Sequence, residues 1–436
     1  MIRILGIELR RSVAPGAALL IAVAGTSVLH ATAGRWSTGW TALAMTQREY
    51  LAVMSPLATA AGAWQSYREH RANVAELFAC APRPRPQHMT PILVTTGLAV
   101  LVAYLLTLLA AAPRIADTAR YLPSAAFAVV GVGLVAMIAS VWLGLAVGRL
   151  VPALATAPAL AVIGYMLLIF APHALPAEGL MAAFSPSMGM SMFSDYDTVG
   201  EGVSIAQALW MVAVAMAGVV LFAVRKRNFV FTALLPLAIG ATATALVAPT
   251  GAAYDRQTLD PVAQELVCAA GAPKVCVSRA HEGVLPEVVP KARHALELLS
   301  ATPLVEAHED TSTIFPPTSP RPRADTVLMA ITIDKHGRLA DPDRLEPRML
   351  TEVFTGPLNC ENTRDIEAAT AAASWLLDRE PTTGFNGFEF DVPETVRLFK
   401  GLKALPAAEA GARVTALYQA ARKCHGTTGL LARSVR

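Results

Sequence analysis

Residues 123–148 read PSAAFAVVGVGLVAMIASVWLGLAVG, a run with no Asp, Glu, Lys or Arg. A helix needs about 20 residues to cross a hydrocarbon core, with roughly 17–25 tolerated. A run of this length, closed by Arg149, predicts a transmembrane helix. The pattern repeats on both sides. Charge-free stretches also occupy 14–33, 50–66, 91–112, 152–171, 205–224 and 229–249. The stretch at 50–66 is the short one, with Arg48 and Glu49 at its edge. The expected architecture is an α-helical polytopic membrane domain of seven spans over residues 1–249.

Whole-chain figures hide this division. The 436 residues are 54% hydrophobic and 16% charged, with a net charge of +3. Such a composition excludes a disordered chain, disfavours a wholly soluble one and leaves no nucleic-acid footprint. Residues 1–249 carry +6 and residues 250–436 carry −3, so the average describes neither part.

Lys and Arg in short loops set orientation, because cytoplasmic loops are enriched in them. With the N-terminus cytoplasmic, the inside segments hold Arg3, Arg10, Arg11, Arg68, Arg71, Arg83, Arg85, Arg149, Arg225, Lys226 and Arg227. The outside loops hold only Arg35, Arg48, Arg114 and Arg120. An odd number of spans then places residues 250–436 outside a bacterial cell membrane. Arg10–Arg11, the apolar run and Ala31-Thr32-Ala33 also fit a signal peptide, but the charge asymmetry works best with the first span retained. Residues 1–12 (MIRILGIELRRS) suit a short amphipathic helix on the lipid interface, and equally the start of the first span.

The C-terminal part is a different kind of sequence, long enough for one globular domain with its own core. It holds Cys268, Cys276, Cys360 and Cys424. An even number of cysteines outside the cytoplasm predicts disulfides. Proximity favours Cys268–Cys276 and leaves Cys360–Cys424. A zinc site would need Cys-x2-4-Cys spacing, which the seven residues between Cys268 and Cys276 do not give. Cys80 is expected as a free thiol. Lys274–Ser278 reads as a strand and 284–299 as a helix. In 326–333, Val327, Met329, Ile331 and Ile333 alternate as a half-buried strand does, and Asp334-Lys335-His336-Gly337 reads as its turn. Helices are expected at 365–377, 392–402 and 407–423. The expected fold is a small extracytoplasmic α+β domain over residues 250–436.

No catalytic motif stands out in it. His281-Glu282 lacks a second His four residues on, and there is no Gly-x-Ser-x-Gly. His308-Glu309-Asp310 reads as a solvated polar cluster, and Asp341, Asp343 and Glu346 as a loop. The expectation is no enzyme, no metal and no cofactor bound by this chain. The loop between the fifth and sixth spans carries Met188, Met190 and Met192. Thioethers at alternate positions suit Cu(I), but adaptable packing at the membrane interface is the stronger reading.

The spans themselves are almost free of ionisable groups, with His30 near the outer end of the first as the candidate. Ion-coupled transporters keep such groups at membrane depth, so that mechanism lacks its parts. There is no Gly-x-x-x-x-Gly-Lys-Ser/Thr either, so any ATPase must be another chain. The sizeable cytoplasmic loop is 67–90, YREHRANVAELFACAPRPRPQHMT. Its first half is helix-compatible and Ala81-Pro82 stops it. Arg68, Glu69, Arg71 and Glu76 surround an apolar tip, Leu77-Phe78.

At this loop the chain resembles the permease subunits of type-two ABC exporters. Those carry a coupling-helix pattern like Arg-Glu-x-x-x-Gly-Thr-x-Glu-Leu-Leu-x-x-x-Pro. Arg68-Glu69 opens it here, Glu76-Leu77-Phe78 matches its centre, and Pro82 falls six residues after Glu76. Asn73-Val74 replace the Gly-Thr step. The resemblance covers about residues 1–225. It implies an N-terminal interfacial helix, a dimer with a second permease copy, and ATPase subunits that bind ATP and Mg. The family has six spans with both termini inside, so a seventh span and an outside domain depart from it. Cysteine-containing tails of this kind occur on permease-like proteins of actinobacteria, and 29 Arg against 7 Lys agrees with a GC-rich source. The large tail keeps a second reading open, a membrane-anchored extracytoplasmic binding or sensor protein.

Overall fold

The computed structural model describes residues 12–72, 86–174, 183–190, 192–224, 227–248, 257–314, 317–319, 323–356, 365–427 and 429–431. The chain divides into two compact units, Met1–Asp260 and Pro261–Arg436.

The first unit is helical. Its elements are α1 (Ala14–Ala31), α2 (Trp40–Glu49), α3 (Leu51–Arg71), α4 (Pro86–Ala111), α5 (Ser124–Leu150), α6 (Thr156–Ala174), α7 (Glu201–Ala223) and α8 (Leu234–Val247). Among the described residues, five helices are long and apolar enough to cross a membrane: Ala14–Ala31, Met89–Arg114, Ser124–Leu150, Glu201–Ala223 and Val230–Val247. The other two expected segments are also helical. In α3 the apolar stretch is diluted by the polar end Gln65–Arg71, and in α6 the apolar part is the shorter Thr156–Phe170. Large apolar side chains such as Leu109, Phe127, Ile163 and Leu235 face outward. A soluble protein rarely exposes such a surface; a lipid-facing one does.

In lipid, helices gain nothing by hiding apolar surface from one another, so close packing depends on small residues. The α3–α5 contact is built this way. A side chain at Gly144 would overlap the backbone of Thr59, and one at Gly62 the carbonyl of Val141. Gly148 lies on Ala63 of α3. The Ser66 hydroxyl adds a bond to the Leu145 carbonyl at 2.7 Å. The Gly144-x-x-x-Gly148 pair thus serves a contact within one chain.

Near the end of this unit, β1 (Asp197–Val199) pairs antiparallel with β2 (Gln257–Leu259). That pairing draws residues beyond 249 into the helical unit and explains why the division falls after Asp260. The Tyr121 hydroxyl also donates to Asp260 Oδ2 at 2.8 Å.

The second unit is a mixed α+β fold. Its main sheet has the order β3 (Leu266–Cys268), β4 (Lys274–Ser278), β5 (Glu306–Glu309), β6 (Thr326–Met329). β3 and β4 are antiparallel, and β4–β5 and β5–β6 are parallel. Parallel neighbours need a crossover, and α9 (Leu285–Leu298) supplies it between β4 and β5. It buries Val288, Ala292, Ala295 and Leu296 in one core with Val275, Val277, Ala307, Val327 and Met329 of the sheet. The helices α10 (Pro342–Thr355), α11 (Ile366–Leu376), α12 (Val392–Lys403) and α13 (Ala407–Arg422) extend the same core.

Local chemistry places these elements. The Asp365 carboxylate accepts from Ala368 N at 2.8 Å, an N-cap that satisfies an orphan donor of α11. Asp391 caps α12 in the same way through Glu394 N. The Asp334 turn forms as expected, with Gly337 at φ 76° where a side chain would be strained. Buried Asn386 donates to Thr351 Oγ1 and Thr370 Oγ1 at 3.0 and 2.8 Å, joining α10 to α11.

Candidate functional site

The coupling-loop residues divide at the edge of the described structure. Arg68, Glu69 and Arg71 form the last turn of α3, which runs unbroken from Leu51. Arg68 and Arg71 are exposed and Glu69 is half-buried. Glu76, Leu77, Phe78 and Pro82 lie outside the described residues. The Gln65 side chain anchors this end. Its Oε1 accepts from Val13 N at 3.0 Å, and its Nε2 donates to Glu69 Oε1 at 2.8 Å. Arg149, at the end of α5, donates to the Phe222 carbonyl of α7 at 2.6 Å and lies 5.3 Å from the Phe222 ring centroid. The charged end of α3 is therefore fastened to α1 and, through Ser66 and the glycine contacts, to α5.

Arg48, expected in a loop, stands instead on a helix and is buried. Residues 40–49 form α2, and Arg48 is 0% exposed. Its Nε donates to the Pro186 carbonyl at 3.0 Å and its Nη2 to Gln207 Oε1 of α7. Gln207 Nε2 in turn donates to the Ser185 carbonyl at 2.9 Å. Next to it in sequence, Gln47 Nε2 donates to the Tyr104 carbonyl and to Thr107 Oγ1 of α4, both at 2.6 Å. One guanidinium is thus sealed inside the helical unit, among α2, α4, α7 and the 183–190 segment. Flanking Trp36, Trp40 and Tyr50 masked the signal. A charge beside aromatics looks like an interface anchor, and only the tertiary fold turns it inward.

The methionines sit on the same segment. Met190 is buried among Ala44, Met45, Ala126, Val129, Val199 and Val203, with Met192 packed at the edge of that cluster. Met188 is half-buried. Met190 thus packs in an apolar cluster of Ala, Val and Met side chains, the adaptable packing role of a thioether.

In the second unit, Cys268 and Cys276 stand opposite one another on β3 and β4 and form a disulfide. Cys424 is also disulfide-bonded, and Cys360 lies outside the described residues. Cys80 does too.

The expectation of a solvated His308-Glu309-Asp310 cluster is corrected here. Glu309 is 2% exposed. Its Oε1 lies 2.6 Å from His281 Nδ1, itself buried, and its Oε2 accepts from Ser278 N at 2.6 Å. The cause is strand alternation. In β5, Ala307 and Glu309 face the core while Glu306 and His308 are half-buried. A carboxylate can enter a core when hydrogen bonds replace its water, and this one has an imidazole and a backbone N–H. The alternation was present in 306–309, but its one apolar member gave no hydrophobic signal. Glu309 and His281 are held under the surface, so the pair joins β4, β5 and the turn after β4.

No family model, curated protein or solved structure matches this chain.

Proposed function

We propose that this chain is the membrane-spanning subunit of an ABC exporter, powered by a separate ATPase subunit that binds ATP and Mg. The carrying observation is α3. It continues without a break from the charge-free stretch 50–66 into Arg68, Glu69 and Arg71, and the sequence then runs on into Glu76-Leu77-Phe78 and Pro82. A helix clamped along α5 by glycine contacts can pass a push at its charged end to the bundle. A loose loop could not. The spans pack with a second permease copy and with membrane lipid, and the N-terminus faces the cytoplasm. The second unit lies outside, where the Cys268–Cys276 disulfide is stable. The substrate crosses between dimer-related spans.

Co-purification tests this directly. The chain, expressed with an ABC ATPase that lacks spans of its own and is taken from the neighbouring genes, should retain that ATPase in detergent. Glu76→Arg should release it while leaving the permease folded. No retention by the unmodified chain would defeat the proposal. The second reading, a membrane-anchored binding or sensor protein, draws on the separate core of the second unit. It gains if the ATPase is never retained and export is unaffected by Glu76→Arg.

A further inference from the structure

The two halves of the Cys268–Cys276 bond differ. Cys276 is 0% exposed, while Cys268 is exposed on β3. β3 ends the main sheet, and among the described residues no strand flanks its outer side. An incoming thiolate therefore reaches one sulfur only. Exposed disulfides are the ones that exchange.

The hairpin does not depend on this bond for its register. Ala269 N donates to the Val275 carbonyl at 2.9 Å, and Arg279 N to the Glu265 carbonyl at 2.7 Å. Arg279 Nη2 also meets Glu265 Oε2 at 2.9 Å. At the turn, Arg293 of α9 donates through Nη2 to the Ala270 carbonyl at 2.5 Å and through Nε to the Pro273 carbonyl at 3.2 Å. Opening the disulfide removes its loop constraint but leaves both ends of the hairpin fastened. The two thiols then stay opposite one another and can close again.

Sheet geometry limits what approaches. Hydrogen-bonded and non-hydrogen-bonded pairs alternate along antiparallel strands. The bonds between Ala269 and Val275 and between Glu265 and Arg279 make Cys268 and Cys276 a non-hydrogen-bonded pair. The Cys268 backbone N–H and C=O therefore point away from β4, toward the open edge. Leu266, 41% exposed, shares a strand face with Cys268. An open edge, one reachable sulfur and an apolar side chain fit an extended peptide segment that carries a thiol.

We propose that the Cys268–Cys276 pair is a site of reversible thiol–disulfide exchange with a dithiol protein. A thiolate of the partner attacks Cys268 Sγ. That bond forms as the Cys268–Cys276 bond breaks, and the electron pair leaves on Cys276 Sγ, which takes a proton. The partner's second thiolate then attacks its own sulfur in the mixed disulfide and releases Cys268 as a thiol. The partner becomes a disulfide, the chain gains two electrons, and the partner's two protons end on the two cysteines. This site is independent of the exporter reading and stands or falls without it.

Full-length oxidised protein in detergent tests it, with reduced thioredoxin as the dithiol protein and dithiothreitol as the small dithiol. Alkylation and peptide mapping count the thiols at Cys268 and Cys276. Thioredoxin should open the bond at least about 100-fold faster per mole than dithiothreitol. Urea below the unfolding transition should change that rate by less than about twofold, because opening needs no unfolding. Thioredoxin lacking its second cysteine should be trapped on Cys268. Removing the reductant should restore the bond. A bond that opens only as urea unfolds the second unit would overturn the proposal. So would equal rates with the two dithiols, or an adduct on Cys276.

Discussion

Gly148 of α5 lies so close to Ala63 of α3 that a Cβ at 148 would stand 2.6 Å from the Ala63 Cα. No rotamer relieves that contact, because the obstacle is backbone. Gly148→Leu should therefore destabilise the helical unit by about 1–3 kcal/mol, the usual cost of overpacking. Gly131→Ala on the same helix meets nothing within 4 Å, and it should be neutral or slightly stabilising through helix propensity. Thermal unfolding of both variants in detergent checks the contrast. Equal shifts would show that the two helices can separate freely.

The buried pair in the second unit makes a sharper case. Removing one partner leaves the other desolvated, at a cost of about 2–5 kcal/mol. His281→Ala and Glu309→Ala should each lower the urea midpoint of the second unit. The double variant should cost less than the sum, because the two losses are one interaction. Strict additivity in that cycle would argue that the pair does not act as a unit.

The Cys268–Cys276 disulfide closes a short loop across β3 and β4, with a sequence separation of 8. Chain-entropy arguments assign such a loop about 2–3 kcal/mol. Replacing both cysteines with Ser should lower stability by that order and remove part of its sensitivity to reductant. A non-reducing peptide map that found Cys268 and Cys276 as free thiols would contradict the bond.

His308 gives the second unit a pH dependence. Burial holds its imidazole below the ordinary value, with Lys274 adding to the depression and Glu306 opposing it. A histidine with a lowered folded pKa favours the neutral form. Its contribution is therefore fully present above an unfolded pKa of about 6.5 and is lost as pH falls from there through the folded value. Stability should decline through this acid window, and His308→Gln should flatten the decline. An unchanged profile in that variant would assign the dependence to another group.

Arg71 is exposed and ends α3. Reversing its charge should leave stability within about 0.5 kcal/mol, as for most surface changes. On the exporter reading Arg71→Glu should nevertheless weaken ATPase retention. Full retention would move the docking surface away from this turn.

The sequence by itself determined where the long apolar helices form in the first unit, because an apolar run and its bounding charges are local properties. The segments around 123–148 and 205–224 needed no partner to be read as α5 and α7. The same holds for the strand at 274–278 and the helices expected at 365–377, 392–402 and 407–423, whose signals lie within a few positions. Tertiary structure alone decided the fate of individual polar groups. Arg48 sits beside aromatic residues in sequence, yet its surroundings come from Pro186 and Gln207. Glu309 sits in a polar cluster, yet it is sealed beside His281. A side chain's electrostatic environment is set by atoms distant in the chain, and desolvation follows the three-dimensional enclosure, not the neighbouring letters. The boundary at Asp260 has the same origin, since β2 joins the first unit only by pairing with β1.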